Sequence, residues 1–478
     1  MKRIVYILLF FLIKTHSIAA QNYKNAIKKA QLLIEAHKSQ TQIPGCQIAV
    51  MVKGKLVWSR NFGYSDLENK IEVNSTTKFR IASVSKPMTA IALGKLIDAK
   101  KIDIDTNIRT YLPEYPQKKH KITARQLATS TSGIRHYNAT DPQFNNHNYK
   151  NVFEALERFQ NDELLFEPET AYLYSSFGWV LLSAVMEKAS KTSFFDVMQN
   201  TWDDLGMTNT TFDLPNKPIE QKSKFYIYDK KQQRKLAPYE NRSYMYAGGG
   251  YLSTAEDLIQ MGNHLINSDF LTKETEKTLT NSHKLKDGTP TFYGLGWETG
   301  VSRLKTKVIY HSGSLPTSVA HLIIYPDEDV VFAYLANTGD NVFFNAREAQ
   351  TIAELFIQDK QLTDNQTKNI VGIWDITTTS LRDKKTKGTL NISLKNDGIL
   401  SGTINFKRSR KKISCPIVIA SAENNIVHCI AVSPMFIDFY LEVDGNEFKG
   451  EWLHDFNVKG IPEKDEYWKP RKIKGTKI

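Results

Sequence analysis

The stretch FRIASVSKPMTAIALGKLI, residues 79–97, sets the tightest limit on the fold. A proline inside a helix removes a hydrogen bond and clashes with the turn before it. In the first turn it does neither, because the N–H groups there have no partner within the helix. Pro87 is followed by Met88, Ala90, Ile91, Ala92, Leu93, Leu96 and Ile97. A helix is therefore expected to begin near Ser83. Being apolar almost all round, it should be buried. The chain has 478 residues, more than one core usually needs, so two domains are expected.

This start puts Ser83 at the positive end of the helix dipole, with Lys86 one turn on and on the same face. A serine hydroxyl is a poor nucleophile until a base removes its proton. Lysine can be that base only when burial or a cationic neighbour lowers its pKa. The Ser-x-x-Lys pattern alone decides nothing, because it recurs at Ser75/Lys78, Ser302/Lys305 and Ser409/Lys412. Those three read as solvated loops or strand ends. An isolated match would be a capping serine with a surface lysine, so further motifs must decide.

Residues 22–39 read as an amphipathic helix, and GCQIAVMVKGKLVWSRNFGYSD (45–66) as two strands about a turn. Residues 100–220 read as mostly helical. Strand patterns return at 292–300, 308–314 and 320–337, before a final helix at 343–358. Strands thus flank a central helical region, which suits a sheet assembled from both ends of a domain. A polar stretch, 359–369, reads as a linker. Beyond it, Asp397-Gly398 and Asp444-Gly445 each sit between alternating runs and signal hairpins. The expected class is α+β, with an antiparallel sheet flanked by helices, a helical lobe, and a small C-terminal antiparallel β-barrel or sandwich. The expected divisions are 1–20, 21–360, a linker at 361–369, and 370–478.

Met-Lys-Arg opens the chain, followed by the apolar run Ile4–Ile13 and small residues suited to cleavage after Ala20. This reads as a secretory signal peptide, giving a periplasmic or extracellular protein without stable membrane insertion. Net charge is +12, but the lysines are scattered rather than gathered into a stripe, so nucleic acid is not an expected partner. The three cysteines, Cys46, Cys415 and Cys429, form no C-x-x-C, and no H-E-x-x-H occurs among the eleven histidines. No metal or other cofactor is expected. A Cys415–Cys429 bridge is left open. No G-x-S-x-G elbow occurs either.

Two further motifs bear on Ser83. Tyr174-Ser175-Ser176 precedes an apolar helix beginning near Phe177, and His311-Ser312-Gly313-Ser314 ends a strand pattern. A buried tyrosine could share a proton with Lys86, and Gly313 would let a substrate approach the backbone closely. The order Ser-x-x-Lys, Tyr-Ser-Ser, His-Ser-Gly resembles the serine β-lactamase and penicillin-binding-protein superfamily, in its class C-like branch. FRIASVSK, SGIRHY, YLYSSFGW and AGGGYLST carry a closer likeness to the mitochondrial β-lactamase-like proteins and their bacterial relatives. The resemblance covers roughly residues 25–358 and implies a β-lactamase/transpeptidase-like fold.

Carried over, the resemblance makes Ser83 the acylated nucleophile, Lys86 its base and Tyr174 part of the proton relay. The N–H groups of Ser83 and Ser314 would form the oxyanion hole. Ser176, His311, Ser312 and Gly313 would contact substrate. Ser176 stands where many members have Asn, and His311 where many have Lys. A neutral imidazole attracts a substrate carboxylate less than an ammonium does. Both departures suit a peptidase or esterase better than an efficient β-lactamase. Ser130 replaces the family's usual His, which reads as a structural change. The expected function is a secreted serine hydrolase acting on amides or esters, including D-amino-acid peptides, cell-wall peptides or β-lactams. The alternative is a catalytically silent binding or self-assembling protein on the same fold. Trp374 and Trp452 read as barrel core rather than a sugar platform.

Overall fold

The computed structural model describes residues 23–138, 141, 147–215, 217–229, 233–339, 344–358, 362–379, 384–408, 411–433, 435–453 and 470–478. The signal-peptide reading therefore falls outside the described residues.

Seven antiparallel strands form the central sheet. Their order is Ile71–Glu72, Lys55–Asp66, Gly45–Val52, Val330–Ala336, Ser318–Tyr325, Lys307–Leu315, Glu298–Val301. The N-terminal hairpin joins the C-terminal strands through Gly45–Val52, with Cys46 opposite Ala336 and Val52 opposite Val330. Everything between residues 73 and 297 is thus an excursion from the sheet. Side chains alternate between faces along each strand. Ala49, Ile309, Leu322, Ile324, Val331 and Ala333 face one core, which they share with the buried helix Ser85–Asp98. Ile48, Val50, Tyr310, Ile323, Phe332 and Tyr334 face the other, against the helices Lys24–Thr41 and Ala346–Glu354.

The expected helical region is only partly helical. Long helices occur at Ser176–Ser190 and Phe194–Asp204, whereas the described residues among 100–175 hold short turns of helix joined by irregular chain. Prolines at 113, 116 and 168 interrupt helix propagation there. Asn107 and Thr123 cap one-turn segments through their side chains. The apolar residues of this region still reach the core, which is why its pattern reads as helix.

Residues 372–477 form a closed eight-stranded antiparallel barrel in which each strand pairs with its sequence neighbour and the last closes on the first. It is a barrel, not a sandwich. Gly398 and Gly445 take φ of +83° and +56° in their hairpins, as Asp-Gly turns require. Trp374 lies in the barrel core and donates its indole N–H to the Ile370 carbonyl at 3.0 Å. Cys415 and Cys429 are free thiols. The register places Cys429 opposite Ile419, four residues from Cys415, so the two side chains do not meet.

The stretch expected to be a linker holds a helix, Asp364–Ile370, with Thr363 and Gln366 forming a capping box. The barrel is no loose appendage. Val418, Ala420, Ile430, Val432 and Phe436 on its wall enter the same core as Ala30, Leu33 and Ile34. Lys29 donates to the Ala420 carbonyl at 2.8 Å. The barrel therefore packs on the helix Lys24–Thr41, on the side of the sheet opposite the Ser83 helix.

A buried ionic cluster locks this junction. The Asp438 carboxylate accepts from Arg303 at 2.8 Å, from His428 at 2.6 Å and from Arg347. Arg303 also pairs with Glu354. Burial raises the Asp438 pKa, but the His428 hydrogen bond and the two guanidiniums outweigh it and hold the carboxyl below its usual range. Removing one member leaves buried charge without its partner. Asp438→Ala is expected to cost about 3–5 kcal/mol, read by denaturant unfolding. A loss under about 1 kcal/mol would show that the cluster does not hold the junction.

Candidate active site

The turn that carries Ser83 precedes the buried helix. Ala82–Val84 form one 3₁₀ turn, and the α-helix runs from Ser85 to Asp98 with Pro87 in its first turn. The expected start at Ser83 is thus one short turn early in type, but right in place. Ala82 sits at φ +46°, a left-handed conformation that costs about 1–3 kcal/mol for a non-glycine residue. The turn is pinned from both sides. Phe79 pairs with Ser253, and Ile81 N–H donates to the Tyr251 carbonyl.

Lys86 is fully buried, and burial pulls its pKa well below the ordinary lysine value. Its Nζ lies 3.1 Å from Ser83 Oγ, 3.0 Å from Ser176 Oγ and 2.7 Å from the Gly248 carbonyl. A neutral amine has two protons and one lone pair. The carbonyl can only accept, so one proton goes to Gly248. The hydroxyls of Ser83 and Ser176 can each accept the second proton or donate to the lone pair, so the lone pair is able to receive the Ser83 proton. Desolvation and geometry thus point the same way.

Tyr174 lies on the loop that enters the helix Ser176–Ser190. Its ring centroid is 4.8 Å from Lys86 Nζ. Burial raises the phenol pKa, while the hydroxyls of Ser83 and Ser176 lower it less, so the phenol stays protonated. Ser176 is 3% exposed and its hydroxyl is engaged by Lys86. Little of it is left open to a substrate. Ser130 occupies a left-handed position, φ +60°, and its carbonyl accepts Leu173 N–H at 3.0 Å. It shapes the approach to Tyr174, in keeping with a structural change.

On the strand Lys307–Leu315, alternation separates the expected substrate contacts. His311 turns to the cleft and its ring lies 6.2 Å from that of Tyr174. Its Nδ1 is 2.7 Å from the Ser312 carbonyl and must carry the proton. Nε2 is 3.1 Å from the Tyr293 hydroxyl, which donates to it in the neutral ring. The expected substrate contact of Ser312 is corrected. Its hydroxyl turns to the other face and meets His321 Nδ1 at 2.9 Å. Gly313 is needed for a different close approach from the one expected. A Cβ there would lie 2.2 Å from the Ile81 carbonyl, so the glycine lets the strand pack on the turn that carries Ser83. Gly313→Ala is expected to displace Ser83 and cut kcat/KM about 10²-fold. Wild-type rates in this variant would show that the turn tolerates the shift.

The hairpin Ser314–Val319 closes with Leu315 opposite Ser318. In such a two-residue hairpin the closing pair exchanges hydrogen bonds and the next pair does not. Ser314 N–H therefore points away from its partner strand. On that outer side the pairing with Glu298–Val301 ends at Tyr310, leaving an open edge beside Ser83.

One neighbour carried no role in the sequence reading. His136, within SGIRHY, accepts Ser176 N–H on Nδ1 at 3.0 Å. Its ring stacks on Tyr137 at 4.5 Å and meets Tyr174 edge-on at 5.7 Å. Gly248 was missed too, because a backbone acceptor leaves no mark in side-chain spacing.

A buried lysine on a serine hydroxyl, a protonated tyrosine alongside, and a sheet edge facing both define the scaffold shared by serine β-lactamases and penicillin-binding proteins. Residues 30–356 match the beta-lactamase family, and the chain belongs to it. The mouse "Serine beta-lactamase-like protein LACTB, mitochondrial" is 31% identical over 52% of this chain and 58% of its own length. The chain thus spans less than two thirds of that relative. The octameric penicillin-binding protein homologue from Pyrococcus abyssi superposes with a TM-score of 0.60 at 20% identity, over 94% of this chain and 99% of its own. The D-stereospecific amidohydrolase from Streptomyces sp. gives 0.57 at 22%, over 70% of this chain and 99% of its own. Both likenesses establish fold.

Proposed function

We propose that the protein is a secreted serine hydrolase that forms an acyl-enzyme on Ser83 from amide or ester substrates. Peptide-like amides and esters are favoured over β-lactams. The observation that carries this reading is the contact of 3.1 Å between Ser83 Oγ and a fully desolvated Lys86. Ser83 attacks the acyl carbon while its proton passes to Lys86. Ser83 and Ser314 N–H groups hold the oxyanion. The Tyr174 hydroxyl delivers a proton to the departing amine or alkoxide as the tetrahedral intermediate collapses, and takes back the one that Lys86 holds, so both groups return to their neutral forms. Water then cleaves the ester on Ser83 and releases the acid.

The preference over β-lactams rests on His311, whose ring nitrogens are taken by Tyr293 and the Ser312 carbonyl. No lysine stands at this point to draw in a carboxylate. The amidohydrolase of similar fold is consistent with amide chemistry. Export rests on the N-terminal sequence alone.

The test is the intact mass of the protein after exposure to a fluorophosphonate. One adduct, mapped to the peptide that carries Ser83, is expected. An unlabelled protein with an open cleft would favour a binding protein on this fold.

A further inference from the structure

His136 stands apart from the groups used above, and four observations define what it can do. Its loop is rigidly held. Arg135 bridges Asp141 at 2.8 Å and Asp162 at 2.6 Å, and its carbonyl accepts Ser175 Oγ–H at 2.7 Å. Its tautomer is fixed, because an N–H donor reaches Nδ1 and the ring proton must therefore sit on Nε2. It stays neutral. Burial, helped by the nearby Lys86 and opposed by Asp141, brings its pKa down to about 4. Its Nε2 has no protein partner among the described residues and is not a buried atom, so it is accessible, on a ring that lies 5.7 Å from that of Tyr174.

A neutral N–H held beside Tyr174 and the Lys86–Ser176 pair is a fixed donor with nothing to donate to. The hydroxyl of Ser176, the other polar group at this point, is occupied by Lys86. We propose that the His136 Nε2–H is a specificity-determining donor that binds a carbonyl oxygen of the substrate adjoining the scissile acyl group. The substrate class this selects is N-acylated amino acids or peptides, whose acyl part carries an amide carbonyl, over simple acyl groups of the same length. A site built to hydrogen-bond a substrate group rejects the analogue lacking it, because its own donor is then left unpaired. This rests on the serine-hydrolase reading of Ser83.

The experiment compares p-nitrophenyl N-acetylglycinate with p-nitrophenyl pentanoate, which has the same length and no amide. The quantity read is the ratio of their kcat/KM values, which cancels any general loss of Ser83 reactivity. Three variants separate the roles of the ring. His136→Gln reaches the Nε2 position with an amide N–H. His136→Asn reproduces only the Nδ1 acceptor for Ser176. His136→Phe keeps the stacking on Tyr137 and neither polar contact. Relative to wild type, the ratio is expected to fall about tenfold in the Asn and Phe variants and to stay within about threefold in Gln. An unchanged ratio in all three would overturn the proposal. So would retention in Asn with loss in Gln, which would leave His136 a positioning residue for the helix start. A wild type that hydrolyses neither ester and takes no fluorophosphonate adduct would instead remove the hydrolase reading, and this subsite with it.

Discussion

Ser83→Ala is expected to lose hydrolysis of p-nitrophenyl esters by about 10⁴-fold or more while keeping its folded structure. The size follows from the covalent step. Without Oγ no acyl-enzyme forms, and only the oxyanion donors and general binding remain to favour attack by water. The fold should survive because Ser83 is only partly buried and its hydroxyl contacts side chains of the site, Lys86 and Tyr174, rather than the core. Kinetics read beside far-UV circular dichroism and thermal unfolding separate the two effects. A folded Ser83→Ala protein with turnover near wild type would end the assignment.

Lys86→Met is expected to lower kcat/KM by a similar order, and to change stability in a way that activity does not report. The sign follows from linkage. The lysine pKa is lowered in the folded state by burial, while the unfolded chain holds its proton up to the ordinary value near 10.5. Between the depressed folded pKa and that value, the unfolded state binds one more proton than the native state. Stability of the wild type therefore rises with pH across this window, by about 1.4 kcal/mol per pH unit from this group. Methionine does not titrate, so the variant lacks this slope. Urea unfolding of both proteins at pH 7, 8 and 9 should show the wild type gaining on Lys86→Met as pH rises. Parallel curves would mean that Lys86 keeps its proton in the fold, and that the lone pair facing Ser83 is absent. The wild-type rate should rise with pH only through the depressed folded pKa and level off above it, because deprotonation of Lys86 in the folded protein arms the base.

Much of the scaffold was legible because the signals were local. Pro87 fixed where the buried helix starts, since its ring is tolerated only in a first turn. The two Asp-Gly pairs fixed hairpins, since both glycines need positive φ. Alternating runs fixed strands. The irregular chain at 100–175 was misread because its apolar residues are placed by the core that receives them, not by a helical repeat. The barrel's closure was not legible either. A meander reads the same whether its last strand meets its first or a second sheet, and only the pairing of residues 374–378 with 473–477 decides it.

The site divides in the same way. Sequence alone brought Ser83 and Lys86 together, because they are one helical turn apart and their geometry is carried by the backbone between them. It also named Tyr174 and the strand at His311. Tertiary structure decided what each group touches. Strand alternation sent Ser312 to the far face, and the close approach of Ile81 explains Gly313. Lys86 gained Ser176 and Gly248 from segments 90 and 162 residues away. The desolvation that lowers the Lys86 pKa comes from the whole core packed around it. Spacing along the chain fixes only contacts that one element spans. Burial, and every partner from another element, exist only once the chain has closed on itself.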